Sequence, residues 1–362
     1  MKKVLILIVI AMLAVPLFAD EAILIDFSLL TADIIPVQNP ARNRPEFQQN
    51  QHTVMNFADN IGSGFTRDQR GAMLTSLAIE NWEVILSSSS RTVTNMANSY
   101  TRESPTRAYL RDGIRVEEDI TVMGVRVHFP VEPFNSWAMI RPPFEIPAYE
   151  FSTVDADGRI TRDESANATT RSRFESDSPD MPAYGVVKNV GVIREIKVQY
   201  YDLRFPHGLS IMLIDHNGNE RTIFMGYLNS NRREGWFELT WRNPAYQQEA
   251  RNRDMRIVPL YPFNTPFIKF GGFLIQRDAA AAGGDFITYF KDVVVIYDKA
   301  VLDDTRDIDD EAIWGIIQSR EDARKTWEME RFGQSQVLRY LEQQRMAEEL
   351  PFGHPDRNPD QQ

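Results

Sequence analysis

Thr153-Val154-Asp155-Ala156-Asp157-Gly158-Arg159-Ile160-Thr161-Arg162-Asp163-Glu164 is the segment whose residue types and spacing come nearest to metal chemistry. Calcium takes hard oxygen ligands from a twelve-residue loop. Here Asp155 and Asp157 fall at ligand positions three and five, Gly158 at the sharp turn, and Glu164 at the bidentate last place. Two residues depart from that pattern. Thr153 stands at the first position, where an aspartate is expected, and Pro147 disfavours a helix leading into the loop. The segment therefore reads either as a weak Ca²⁺ site on Asp155, Asp157 and Glu164 or as an Asp-Gly turn in a polar excursion. No other pattern calls for a cofactor.

Aromatic residues are the second candidate chemistry. Trp137, Trp236, Trp241 and Tyr246 lie on or beside strand-like runs, where their rings either complete the core or present faces that stack on sugars and on partner side chains. Against catalysis, the five histidines (His52, His128, His207, His216 and His354) are scattered without metal-ligand spacing. There is no nucleophile elbow, no phosphate-cradling glycine loop and no cysteine. Carboxylates are plentiful, but nothing local couples two of them as acid and base. The expectation is a protein that is not an enzyme.

Those residues need a scaffold, and the pattern predicts one rich in strands. Apolar and polar residues alternate in Val125–Phe129 and in Ile196–Tyr200, which places one face in a core and the other in water. Further strands are expected at Ala22–Phe27, Trp82–Leu86, Thr121–Phe129, Trp137–Ile140, Val186–Tyr201, Leu209–Ile214, Thr222–Tyr227, Trp236–Trp241, Phe267–Ile275 and Phe286–Tyr297. Asp215-His216-Asn217-Gly218-Asn219 reads as a hairpin loop. Without βαβ spacing, the fold class is mainly β: an antiparallel β-sandwich of jelly-roll type spanning 20–302, with a polar excursion at 150–182. Asn243-Pro244 starts a short helix that runs to about Asn252.

Residues 303–350 form a helical region. From Asp309 to about Glu349 there is no proline, and Ile313, Ile316, Ile317, Trp327, Phe332, Leu338 and Leu341 recur near helical spacing. This long C-terminal amphipathic α-helix either packs back on its own sandwich or reaches a neighbouring subunit. Its candidate partner-binding residues are Ile313, Trp314, Ile317, Trp327, Leu338 and Leu341. Residues 351–362, with three prolines, carry no periodicity and read as a disordered tail.

At the other end, Met1-Lys2-Lys3 precedes an apolar run from Val4 to Phe18 that closes on Ala19, the layout of a secretory signal peptide over 1–19. Its removal takes the formal charge from −11 to −13. So acidic a chain is not expected to bind nucleic acid or an anionic membrane surface. The mature chain has no cysteine, so neither a lipid anchor nor a disulfide is available, and membrane insertion is not expected.

Three long blocks carry a family likeness. Met123–Pro147 is one. Tyr184–Gly191 with Phe205–Ser210 and Phe224–Tyr227 is the second. The third joins Asn243–Tyr246, Arg251–Asp254, Val258–Pro262, Gly272–Asp278 and Phe290–Asp298. Together they resemble the spirochaete flagellar filament outer layer (sheath) protein family, FlaA, over nearly the whole mature chain. The resemblance implies a structural sheath subunit of the periplasmic flagellum that coats a flagellin core and contributes to filament stiffness, shape and motility. Implied partners are flagellin core subunits and other sheath subunits, with glycans on flagellin as a possible meeting point for Trp137, Trp236, Trp241 and Tyr246. The alternative is a carbohydrate-binding β-sandwich module acting in the periplasm.

Overall fold

The computed structural model describes residues 20–31, 33–39, 44–49, 53–58, 61, 63–111, 113–148, 153–154, 160–161, 174, 184–228, 234–252, 265–301 and 316–348. The strands that build the body are β1 (Asp20–Asp26), β2 (Glu83–Leu86), β3 (Tyr100–Thr106), β4 (Ile120–Phe129), β5 (Ser136–Arg141) and β6 (Val186–Lys188). They continue as β7 (Val190–Asp202), β8 (Gly208–Asp215), β9 (Glu220–Tyr227), β10 (Gly235–Arg242), β11 (Phe267–Arg277) and β12 (Gly284–Lys299). The helices used below are α1 (Arg67–Gly71), α2 (Val93–Ala97), α3 (Tyr246–Asn252) and α4 (Ile316–Glu348).

Among the described residues the strands form two six-stranded antiparallel sheets. The first runs β10-β7-β12-β4-β3, and the second β9-β8-β11-β5-β2. The two longest inner strands organise both. On β12, β7 lies along one edge, while β4 and β1 share the other, pairing with Gly284–Phe290 and Asp292–Tyr297 respectively. On β11, β8 takes one edge, and β5 and β6 divide the other between them. This is the antiparallel two-sheet sandwich expected from the alternating runs.

The sheets meet face to face through β11 and β12. Phe273 stacks on Phe290 at 4.3 Å between centroids, and Phe270 sits edge-on to Phe273 at 5.1 Å. Phe27 and Trp82 extend the cluster, and the Trp82 indole N–H donates to the Leu77 carbonyl at 2.9 Å, so its polar edge is satisfied. Each such aromatic pair adds about 1 kcal/mol beyond the area it buries.

Three local departures from the expected elements have physical causes. The Val186–Tyr201 run is two strands in different sheets, because Asn189 adopts φ 58 at the crossing. Asparagine tolerates this left-handed geometry, and here its side chain both donates to Val301 O and accepts from Val301 N, pinning the corner. The strand β3 has a polar sequence, and Pro105 is tolerated because β3 is an edge strand paired only with β4. The start of α3 falls at Tyr246, with Asn243 Oδ1 accepting from Ala245 N ahead of it.

The hairpin between β8 and β9 forms as expected, with Gly218 at φ 81. Burial raises the Asp215 carboxyl, but hydrogen bonds from Asn219 and Asn217 more than offset that and hold it below the ordinary range. The helix α4 passes through Gly333 unbroken and is 33 residues long, about 50 Å.

One end of the sandwich is closed by buried polar groups. The Arg277 guanidinium donates to the carbonyls of Pro130, Glu132 and Ala281 at 2.8–3.1 Å, tying together the loops after β4 and β11. Beside it His207 is buried among Phe129, Phe286 and Phe205, and neither ring nitrogen has a hydrogen-bond partner. Burial, with the Arg277 charge second, lowers its pKa to about 4 from 6.5. The folded state thus favours neutral imidazole. The stability this contributes is complete above pH 6.5 and is lost as pH falls toward 4, about 3 kcal/mol in all. His207→Phe is expected to flatten the acid-side decline of urea-unfolding stability between pH 6.5 and 4. An unchanged slope in the variant would show that His207 does not titrate in this way.

Candidate functional site

The helix α4 lies across the outer face of one end of the second sheet, and its contacts follow the strand order. Arg324 donates to the His216 carbonyl at the β8–β9 turn and stands 5.7 Å over the Phe267 ring. One turn on, Glu328 pairs with Lys269 of β11 and accepts from Ala148 N at 3.3 Å. Phe332 meets Phe144, just past β5, at 5.4 Å, and Phe144 in turn meets Phe174. Arg339 reaches Glu83 of β2 at 2.6 Å.

The attachment is partly ionic. Lys269 and Glu328 are both buried, and Glu145 joins them, accepting from Lys269 at 3.1 Å and from Arg331 at 2.5 Å. A buried pair of this kind specifies where the helix sits more than it stabilises it, since desolvation offsets the attraction.

A second apolar stripe runs along the opposite side of α4. Successive helical residues turn by about 100°. Trp327, Leu338 and Leu341 therefore share one side, roughly opposite the buried Met329, Phe332 and Gln336. Trp327 is 58% exposed and Leu338 63%. The Arg331 guanidinium stands over the Trp327 ring, 5.1 Å from its centroid. Of the residues expected to bind partners, Trp327, Leu338 and Leu341 face outward. Ile313 and Trp314 lie outside the described residues, and Ile317 occupies the first turn of α4, where its side chain is not described.

The remainder of the second sheet's outer face carries three exposed aromatic residues, Trp137, Phe224 and Tyr227. Trp137, Gln276, Gly208 and Tyr227 stand opposite one another in register on β5, β11, β8 and β9. Met139, Leu274, Ser210 and Phe224 form the next row. Phe224 and Tyr227 share this face although they are three residues apart, because a bulge slips the register there and Gly226 adopts φ 142. Gly208 lies under Phe224: a Cβ on it would approach the Phe224 ring to 3.0 Å, and the ring would have to shift by a few tenths of an ångström. Phe224 and Tyr227 pack edge-on at 5.5 Å, and the Tyr227 hydroxyl donates to Asp278 at 3.1 Å. An antiparallel sheet that faces water normally carries polar residues outward, so this face is atypical.

The outer face of the first sheet is mixed, with ion-paired side chains beside a row of Trp236, Tyr201 and Tyr289. Arg126 donates to the Asp285 carboxylate at 2.9 and 3.2 Å, with His128 on the same group, and these two partners hold Asp285 below its ordinary pKa. Trp236 lies on this face, edge-on to Tyr201 at 5.6 Å. Trp241 is partly buried against the core, and the Tyr246 hydroxyl donates to Asp298 under the Arg194 guanidinium. The four aromatics proposed for sugar contact thus fall in separate places. The residues that do cluster with Trp137, namely Phe224, Tyr227 and Gln276, carried no signal, since the bulge that gathers them has no pattern of its own.

Asp155, Asp157 and Glu164 lie outside the described residues. The flanking backbone pairs Thr153 with Thr161 and Val154 with Ile160 as a short antiparallel hairpin. Among the described residues no group of three or more His, Asp or Glu side chains could hold a metal ion. No described helix is long and apolar enough to cross a membrane.

Comparison with known proteins agrees in one direction. The model of the family described as flagellar filament outer layer protein, FlaA, matches residues 46–306. The chain is 44% identical over 355 residues to a flagellar filament outer layer protein of Treponema pallidum, covering 97% of this chain and 96% of that one. It is 43% identical over 335 residues to the protein of the same name from Spirochaeta aurantia, covering 92% and 90%. A Borreliella burgdorferi protein, again with that name, is 30% identical over 303 residues, covering 82% and 78%.

Attachment of α4 rests on the buried pair with Lys269. Glu328→Ala leaves the buried ammonium with the half-exposed Glu145 as its remaining carboxylate and is expected to destabilise the protein by about 2 kcal/mol, whereas Lys269→Met with Glu328→Leu recovers most of the loss. Urea unfolding, with hydrogen exchange along α4, checks both. A Glu328→Ala protein as stable as the parent would contradict the assignment.

Proposed function

Because this chain belongs to the family of flagellar filament outer layer proteins, FlaA, we propose that it is a sheath subunit. On this reading it is exported through its first nineteen residues, lies in the periplasm and coats a flagellin core. It contributes there to filament stiffness, shape and motility, and its role is structural, not enzymatic. The sandwich of residues 20–302 is the body of the coat, and the 303–350 region supplies its contacts.

The observation that carries this reading is the outward stripe of Trp327, Leu338 and Leu341. A helix already docked through one face has no folding reason to present a second apolar stripe to water. A coat built from many modest contacts has such a reason, because repetition along a filament turns weak individual contacts into lasting attachment. The acidic charge agrees with a protein partner and not with nucleic acid.

Co-sedimentation tests the proposal. Mature protein mixed with flagellin filaments stripped of their outer layer is expected to pellet saturably, and to stay in the supernatant when filaments are absent. Protein that remains soluble at every filament concentration would contradict the coat assignment.

A further inference from the structure

Among the described residues two apolar surfaces have no partner, and they match each other in extent. The first is the outward stripe of α4. From Trp327 to Leu341 it spans fourteen residue steps, about 21 Å at 1.5 Å per residue. The second is the half of the second sheet's outer face that α4 leaves uncovered. Its width across β9-β8-β11-β5-β2 is four strand spacings, about 19 Å. Its depth from Trp137 to Arg141, where the ion-paired edge under α4 begins, is four residues, about 13 Å. A helix packs at about 10 Å from its neighbour, so one more helix fits on that strip beside α4.

Charge enters at one point. Arg345 lies on the axis of the Trp327–Leu338–Leu341 stripe by helical geometry, while Glu330 and Glu342 stand to either side and Arg331 is already paired with Glu145. The open end of the sheet face carries Asp278, bonded to Tyr227, and Glu132, whose loop is tied to the Asp278 loop by Arg277. Both chemistries have the composition of a recognition surface: Trp, Tyr, Phe and Arg on an apolar ground. Within one molecule the two cannot meet, since the stripe points directly away from the sheet on which its helix is docked.

We propose that the outward stripe of α4 in one copy docks across the Trp137–Phe224–Tyr227 face of the next copy, so that subunits join head to tail. Different patches meeting in this way form a heterologous contact, which propagates instead of closing into a dimer. That is the symmetry a layer following a filament requires. The inference deepens the outer-layer reading and rests on it for the setting alone.

A mixing experiment read by sedimentation velocity tests it. Full-length mature protein is expected to form species that grow with concentration. Leu338→Asp disables the helix side and Phe224→Asp the sheet side, each at a residue exposed in the folded protein. Each variant alone is expected to lose association at least about tenfold and remain monomeric. Mixed in equal amounts they are expected to form dimers and nothing larger, because each retains the one face that the other lacks. Circular dichroism verifies folding, and Leu341→Asp with Trp137→Ser repeats the scheme if either variant misfolds.

Wild-type protein that stays monomeric, a wild type that stops at dimers, a single variant that still grows chains, or a mixture without dimers would each overturn the proposal. So would a free oligosaccharide that quenches Trp137 fluorescence while the wild type remains monomeric, since the face would then belong to a glycan. Filament pelleting by a wild type that is monomeric in solution removes this inference and leaves the outer-layer reading. Head-to-tail growth without pelleting does the reverse.

Discussion

The stacking of Phe273 on Phe290 joins β11 to β12, and the rest of the molecule hangs on those two strands. Each carries a full-length neighbour on one edge and two shorter strands in line on the other, so every other strand of the two six-stranded sheets joins the body through one of them. With no cysteine anywhere in 362 residues, no covalent staple can substitute for this packing. The interior is accordingly aromatic and close-fitting, and the buried His207 and Arg277 sit at its rim, where backbone carbonyls supply the guanidinium with partners. A body locked from within leaves its outer faces available for other molecules.

Those outer faces differ in kind. The first sheet presents the charged Arg126, Asp285 and Lys197 with His128, beside a row of Trp236, Tyr201 and Tyr289. The second presents Trp137, Met139, Leu274, Phe224 and Tyr227. The helix α4 covers only one end of it, held there by the buried Lys269–Glu328 pair and a few rings, which is a polar attachment compared with the sandwich interior. A position set by an ion pair is a specific position. It decides which strip of sheet stays open and which side of the helix faces away. Intramolecular packing thereby sets up the surfaces that serve assembly.

Much of the scaffold was legible in the chain itself. Strict alternation in Val125–Phe129 and Ile196–Tyr200 became the buried and wet faces of β4 and β7, and Asp215–Asn219 became a hairpin turn. What escaped were features set by single residues or by tertiary context. Asn189 divides a continuous apolar run between two sheets through one left-handed backbone angle. The bulge at Gly226 brings Phe224 to the side of Tyr227, against the period of two that a strand pattern assumes. Along α4 the apolar residues read as one stripe, but Trp327 and Phe332 are five positions apart, about 140° around the axis. Phe332 faces the sandwich and Trp327 faces water. Only the docked helix separates the two faces, because both are written in the same kinds of residue.

On this assignment the outward stripe of α4 and the uncovered face of the second sheet become buried when the subunits assemble on a filament. Hydroxyl-radical footprinting of Trp327 and Trp137, comparing filament-bound with soluble protein, addresses it most directly. The account predicts that both indoles lose reactivity on assembly while Arg126 and His128 on the first sheet keep theirs relative to the soluble protein. Trp327 and Trp137 equally reactive in both states would contradict it.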